Sequence, residues 1–157
     1  KDRGHAKEVM KTLPKAPYSL ICEAESAELI KYGGNFFLYM KVLYANLMYE
    51  LTEAVGGDYE LVREAVANDP RIRPSHLQVL HDSGHRGAKK GRGAGGVCFI
   101  KDVAALREIY SKKVKDKHGL ALLNTLIEKN IDLLVKSKKD LELLEGVHGK
   151  AVIKRHK

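Results

Sequence analysis

Apolar residues recur at helical spacing through most of this chain, and the breaks between periodic stretches fall at Pro, Gly and Asp. Residues 6–13 predict a short amphipathic helix ended by Pro14, and the apolar run 18–22 is compatible with a strand. The longest periodic element covers 25–55, with Ser26 and Glu28 near its start and Gly56-Gly57 at its end; at 3.6 residues per turn it predicts a helix of about eight turns. A second helix is expected over 58–68, with Asp58 as N-cap and Asp69-Pro70 as its stop. Residues 70–97 hold two prolines and six glycines, so they read as a long loop with room for one helical turn at 77–80. Helices follow over 101–115 and 119–144, the latter stopped by Gly146, and the remaining tail is expected to fray. One strand candidate among so many helices predicts an all-α domain.

Turning successive residues about 100° around the long helix gathers Glu28, Lys31, Asn35, Tyr39, Asn46, Tyr49, Glu50 and Glu53 into a polar seam. Leu29, Ile30, Phe36, Phe37, Leu38, Met40, Leu43, Leu47, Met48 and Leu51 cover most of the remaining circumference. Such a helix needs burial on several sides, and in a small domain a second copy of the chain supplies it, which predicts a homodimer through 25–55. Lys31 and Asn35, four apart, share a face and can converge on one oxygen; alternatively Lys31 pairs with Glu28 and Asn35 bonds backbone. Between them Gly33 and Gly34 cost about 1 kcal/mol each relative to alanine, which implies either close packing on the backbone or a local break.

Composition narrows the class without choosing a function. With 157 residues, 44% of them hydrophobic, the chain suffices for one globular domain. No apolar run approaches the roughly 18 residues that span a bilayer, and the first residues lack a signal peptide's apolar stretch, so no membrane partner is expected and the cytoplasm is the expected location. Cys22 and Cys98 sit in different contexts and form no disulfide framework, which suits a reducing compartment. The formal net charge of +8 calls for an anionic partner, with basic residues concentrated at 85–92 and 150–157; solvated surface explains these runs equally. The chain begins at Lys1 within an apparent helix, as expected for a piece of a longer protein.

Residues 91–96 match G-x-G-x-x-G, but no strand precedes them and Val97-Cys98-Phe99-Ile100 follows, so the dinucleotide fingerprint is rejected. The glycines could still let backbone amides approach an anion or a sugar, with Arg86, Lys89, Lys90 and Arg92 nearby; a flexible linker is the competing reading. Cys98 stands just before a helix expected to begin near Lys101-Asp102. A thiol at a helix N-terminus beside lysines is prepared as a nucleophile, and Asp102 four residues on could hold water or take a proton. A core cysteine is the plainer alternative. Cys22 looks structural. His76, His81 and His85 match no standard zinc spacing, so no metal is expected.

These residues also carry a resemblance. Residues 26–42, from Ser26 through Lys31, Asn35 and Lys41 to Val42, resemble the AEL-x-KY-x-x-N-x-FL-x-x-K signature of the UDP-glucose/GDP-mannose dehydrogenase family, and Asn46 matches a further asparagine of that helix. Asp69-Pro70-Arg71-Ile72 resembles the family's D-x-RI, and residues 93–102 resemble G-x-GG-x-CF-x-KD, with a longer stretch between Arg71 and Gly93 than the family's pattern.

The resemblance implies an all-α, long-helix dimerisation domain of the 6-phosphogluconate-dehydrogenase C-terminal type. Residues 1–23 would be a remnant of the NAD-binding domain, 24–146 the central active-site domain and 147–157 a basic, flexible tail. It implies oxidation of the C6 alcohol of a UDP- or GDP-sugar to the uronate, with NAD as cofactor bound mainly by a missing domain. Cys98 would be the nucleophile, passing through a thiohemiacetal and a thioester. Lys31 and Asn35 would stabilise the oxyanion or hold water, and Asp102 would orient water or act as base. Gly93, Gly95, Gly96 and Lys101 would bind substrate, and Arg71 would reach the substrate of the neighbouring subunit. Alone the chain is expected to dimerise without turning over. The alternative is a basic helical dimer that binds nucleic acid or serves assembly; the lack of aromatics among the basic runs counts against nucleic acid.

Overall fold

The computed structural model of the chain describes residues 4–156; residues 1–3 and 157, the outer ends of the expected remnant and basic tail, lie outside the described residues. Among the described residues there are seven helices and no strand: α1 Gly4–Thr12, α2 Ala24–Ala54, α3 Tyr59–Ala67, α4 Gly96–Lys113, α5 Lys117–Ser137, α6 Leu141–His148 and α7 Lys150–Arg155. The all-α expectation holds. Residues 18–22, expected as a strand, are irregular; with no neighbouring strand there is no ladder to satisfy an extended backbone.

The described backbone divides into two units, with the division between Lys31 and Tyr32. In the first, α1 buries none of its residues, and its last turn is tied by Thr12 Oγ1 donating to the Val9 carbonyl at 2.8 Å.

The second unit is built on three apolar clusters. Tyr39, Val42 and Leu43 of α2 pack with Ala94, Val103 of α4 and Leu133 of α5. Ile100 of α4 joins Ile131, Leu134 and Val135 of α5, Leu144 of α6 and Val152 of α7. Ala45, Tyr59, Leu77 and Val79 form the third. The apolar interlude of the long loop is therefore a plug and not a helical turn, with Leu77 buried and its carbonyl accepting from Tyr59 Oη at 2.9 Å. Asp58 caps α3 as expected, accepting from the Glu60 amide at 2.9 Å.

From Asn35 to Glu50 the polar seam of α2 faces inward, while Glu28, Lys31 and Glu53 are exposed. Tyr39 and Asn46 are buried, while Phe37, Tyr44, Leu47 and Leu51 stay exposed in the single chain. Seam residues are retained inside because each has a partner. Tyr39 Oη donates to the Leu126 carbonyl at 3.2 Å, and burial pushes its phenol far above the usual range. Asn46 Oδ1 accepts from Arg92 Nε at 2.8 Å, and Glu50 accepts from Arg92 Nη2 and Lys129 Nζ, both at 2.7 Å. Burial opposes ionisation of Glu50, but the bonds from Lys129 and Arg92 outweigh it and hold the carboxyl below its ordinary value.

Two boundaries differ from expectation, and both matter for the site. α4 begins at Gly96, not near Lys101, so Cys98 lies inside its first turn. The helix expected over 119–144 is broken after Ser137, where Lys138 (φ 55°) and Asp140 (φ 53°) adopt left-handed backbone before α6. Residues 150–155, expected to fray, form α7: Val152 is buried and His156 reaches Asp132 at 2.6 Å and Glu128 at 2.9 Å.

Gly33 and Gly34 neither break α2 nor admit a close neighbour; a Cβ at either position meets nothing within 4 Å. Gly33→Ala and Gly34→Ala should therefore each stabilise the chain by about 1 kcal/mol through helix propensity, read as a raised thermal midpoint. A lowered midpoint would show that this helix face is covered after all.

Candidate active site

Cys98 is exposed at the third position of α4, where the amides of the first turn place the positive end of the helix dipole. Asp102 follows one turn later, so the two side chains lie on the same side of the helix. The Asp102 residue is only 3% exposed, and a buried carboxylate needs paired donors. Asn35 Nδ2 donates to its Oδ2 at 2.6 Å, and Lys101 Nζ to its Oδ1. That bond holds the Lys101 ammonium above its ordinary pKa, with burial opposing it and Cys98 among the smaller contributors. α2 and α4 are thus joined at one carboxylate, one helical turn after Cys98.

Of the residues singled out in the sequence, the structure brings together Asn35, Lys101 and Asp102 by direct contact, with Cys98 one turn away. Lys31 is exposed on α2, one turn before Asn35, and is the last residue of the first unit. Arg71 is separate. It lies exposed in the turn after α3, paired with Asp69 at 2.6 Å, and lines an apolar hollow with Phe37, Lys41, Tyr44 and Ile72.

Gly93, Gly95 and Gly96 are buried, and what approaches them is the protein itself. A Cβ at Gly93 would lie 3.0 Å from Leu133 Cβ, and one at Gly95 would lie 2.0 Å from Asp140 Oδ2. Amides expected to be open to an anion are already committed. Gly91 N donates to the His81 carbonyl at 3.1 Å, Arg92 N to Ser137 Oγ at 3.0 Å, Ala94 N to Asn130 Oδ1 at 2.7 Å and Gly96 N to Asp140 Oδ2 at 2.7 Å. Nor is the run a flexible linker. Arg92, expected among the free positive charges, is held by Asn46 and Glu50 and lies over the Tyr49 ring at 5.1 Å.

Several residues that shape the site were missed. Lys41 is buried and donates to the Ile72 carbonyl at 2.9 Å, the Arg73 carbonyl at 3.2 Å and Ser75 Oγ at 3.2 Å, which fixes the turn that carries Arg71. Lys139 is fully buried and donates to the Gly93 carbonyl at 3.0 Å. Asp140 accepts from Gly96 N, Ser83 Oγ and His85 Nε2. Burial opposes its ionisation, but the bonds from Ser83, His85 and Gly96 outweigh that and hold its carboxyl below its ordinary value. An Asp before the apolar run Leu141-Glu142-Leu143-Leu144 is a helix-start signal that could have exposed this break.

The three histidines do different work: His76 packs edge-on to Phe99 at 5.8 Å, His81 bridges to Gly91 and His85 bonds Asp140 at 2.9 Å. Among the described residues no cluster of three metal-ligating side chains occurs, and no helix is long and apolar enough to cross a membrane.

An all-α unit whose cysteine opens a helix and whose next turn carries a clamped carboxylate defines a class of domain. The chain belongs to the UDP-glucose/GDP-mannose dehydrogenase family: the pattern of that family's central domain matches residues 25–132. It is 35% identical over 133 residues to UDP-glucose 6-dehydrogenase YwqF of Bacillus subtilis (strain 168), covering 83% of this chain and 27% of that protein. It is 33% identical over 111 residues to UDP-glucose 6-dehydrogenase of Rickettsia bellii (strain RML369-C), covering 71% and 22% respectively. Against UDP-glucose 6-dehydrogenase TuaD of Bacillus subtilis (strain 168) the identity is 36% over 106 residues, 68% of this chain and 20% of that protein. The chain thus spans about a quarter of the length of the curated relatives it matches.

Burial lowers the pKa of Lys139 from the ordinary 10.5 to about 8, with Asp140 and Asp82 opposing the drop. The folded protein then binds fewer protons than the unfolded chain between about 8 and 10.5, so the stability attributable to Lys139 rises with pH across that window. Relative to Lys139→Met, the unsubstituted chain should gain stability from pH 8 to 10, with a slope of up to about 1.4 kcal/mol per pH unit. Denaturant unfolding at several pH values measures it; a flat difference means that the lysine is not desolvated as described.

Proposed function

We propose that this domain supplies the nucleophile and its supporting polar groups for oxidation of the C6 alcohol of a UDP- or GDP-sugar to the uronate. The observation that carries the reading is the Asn35–Asp102–Lys101 cluster one turn from an exposed cysteine at a helix start. Net oxidation removes two hydrides from C6, and by resemblance NAD accepts them. The residues described here do not fit that cofactor: no strand leads into residues 91–96, and the amides of Gly91, Arg92, Ala94 and Gly96 bond protein acceptors. Its site is assigned to no residue of this chain.

What these residues do lies between the hydride departures. Cys98 Sγ attacks the C6 aldehyde carbon, the C–S bond forms, and the carbonyl oxygen takes up negative charge and then a proton, giving the thiohemiacetal. One N–H of the Asn35 amide is spent on Asp102, which fixes the plane of the group and leaves its second N–H to meet that oxygen. Lys31 enters on the resemblance alone, as a second donor. Once the carbon has become a thioester, water adds to it, the C–S bond breaks and the thiol is regenerated with the carboxylate product. Asp102, its oxygens turned by Asn35 and Lys101, orients that water or takes its proton.

Self-association belongs to the same reading. Phe37, Met40, Tyr44, Leu47 and Leu51 follow the alternating three-four spacing of a helix-pairing seam, and Phe37, Tyr44, Leu47 and Leu51 are 41–58% exposed. A second copy laid on this face would cover them and bring Arg71, beside Phe37 and Tyr44, to the neighbouring subunit. The same face leaves little for nucleic acid to recognise.

Two experiments test these points. In a protein that joins this domain to an NAD-binding domain, Cys98→Ser should lower UDP-glucose oxidation, followed as NADH formation, by about 1,000-fold or more; substantial turnover without the sulfur would sink the assignment. Sedimentation of the chain itself should show a dimer that Leu47→Glu converts to a monomer, because a charge in an apolar seam loses its solvation on pairing. An unsubstituted chain that sediments as a monomer at micromolar concentration refutes the interface.

A further inference from the structure

We propose that Asp140 is the positioning residue for Cys98: its carboxylate, carried in by the break between α5 and α6, fixes the first turn of α4 and with it the place of the sulfur. The N-cap of α4 is Gly95, which has no side chain to accept the amides that open the helix. The missing cap comes from 44 positions downstream, where Asp140 Oδ2 accepts from Gly96 N at 2.7 Å. The same oxygen accepts from Ser83 Oγ, and Oδ1 accepts from His85 Nε2 at 2.9 Å. The carboxylate is 1% exposed, so it is a built contact and not a surface ion pair.

Gly95 is explained by this carboxylate and Gly96 by its own backbone. A Cβ at Gly95 would sit 2.0 Å from Asp140 Oδ2 and 2.5 Å from Ser83 Oγ, and Gly96 adopts φ 81°, which L side chains rarely take. Asp140 itself sits at φ 53°, a left-handed conformation that costs about 1 kcal/mol or more outside glycine and needs compensation from its contacts. A negative group at the positive end of a helix provides part of that compensation. The sulfur is two residues beyond the capped amide, so the α5–α6 junction, which touches no substrate in this reading, sets where the nucleophile stands. Through Ser83 and His85 the same carboxylate ties down the loop 81–91.

The inference rests on Cys98 as nucleophile, but it is tested without turnover. Alkylation of the chain by iodoacetamide, resolved by peptide mass, compares Cys98 with Cys22 in the same molecules. Asp140→Ala should slow Cys98 about fivefold or more relative to Cys22, as the first turn frays and the sulfur leaves the helix end. Asp140→Asn keeps an oxygen for Gly96 N and should stay within about twofold of the unsubstituted chain. An unchanged or faster Cys98 in Asp140→Ala overturns the proposal, as does an Asp140→Asn chain as slow as Asp140→Ala. If Asp140→Ala does not fold, hydrogen exchange in the unsubstituted chain decides: protection of the Gly96 amide supports the cap, and exchange at the rate of an unstructured amide refutes it. Turnover that survives Cys98→Ser would end the catalytic reading and leave this positioning untouched.

Discussion

The rest of the site depends on how the backbone of residues 91–96 is satisfied. A buried glycine run has no side chains of its own to bond its amides and carbonyls, and no strand runs beside it. Buried backbone polar groups left unpaired are costly, so the partners must come from elsewhere. They come from His81, which pairs with both backbone groups of Gly91, and from α5 and the break beyond it. Ser137 serves both N and O of Arg92, Asn130 both N and O of Ala94, Lys139 the carbonyls of Gly91 and Gly93, and Asp140 the amide of Gly96. Asn130 and Ser137, polar residues of α5, are each one half of such a pair.

The same logic turns α2 around. A polar stripe on a helix is ordinarily its wet side, yet here Asn35, Tyr39, Asn46 and Glu50 point to α4, α5 and the glycine run, each with a partner. The apolar seam from Phe37 to Leu51 is then left outward. Burial of the polar face is tolerable because every contact is a hydrogen bond or an ion pair, and the cluster of Tyr39, Val42 and Leu43 between them supplies the apolar area. Specificity of docking follows, since sliding α2 by one turn would strand several buried polar groups together.

Most of the helices were legible in the sequence, because periodicity, Asp58 and the Pro and Gly stops are local signals. The extent of α2 and α3 is within a residue of expectation. Cys98 and Asp102 stand four apart in the sequence, but that one turn of helix separates them follows only from the start of α4 at Gly96. What could not be read was long-range. The start of α4 depends on Asp140, the break in α5 depends on what Lys139 and Asp140 reach, and residues 77–80 are shaped by Tyr59 and Ala45. The apolar pattern continuing through 119–144 masks the one local signal, Asp140 before Leu141, because the reason that residues 138–140 leave the helix lies in the glycine run some 45 residues earlier. Gly33 and Gly34 mislead in the opposite sense, since the open space around them gives no packing reason for glycine.

The residues of the site carry unequal shares of fold and chemistry. Asp102 is a buried carboxylate held by an amide from α2 and an ammonium from its own helix, so removing Asn35 or Lys101 strips a partner from a desolvated charge. Such a change costs about 1–3 kcal/mol or more before any reaction is considered. Loss of activity in those variants therefore mixes a displaced helix with a missing donor. Gly95 and Gly96 have the same double character through Asp140. Cys98 does not: it is exposed, and little packing is forfeited when its sulfur becomes an oxygen. The one residue on which the proposed chemistry turns is also the one whose replacement leaves the clamp around Asp102 and the frame around the glycine run in place, and that is why the catalytic reading can be separated from the stability of the fold at position 98 and nowhere else in the cluster.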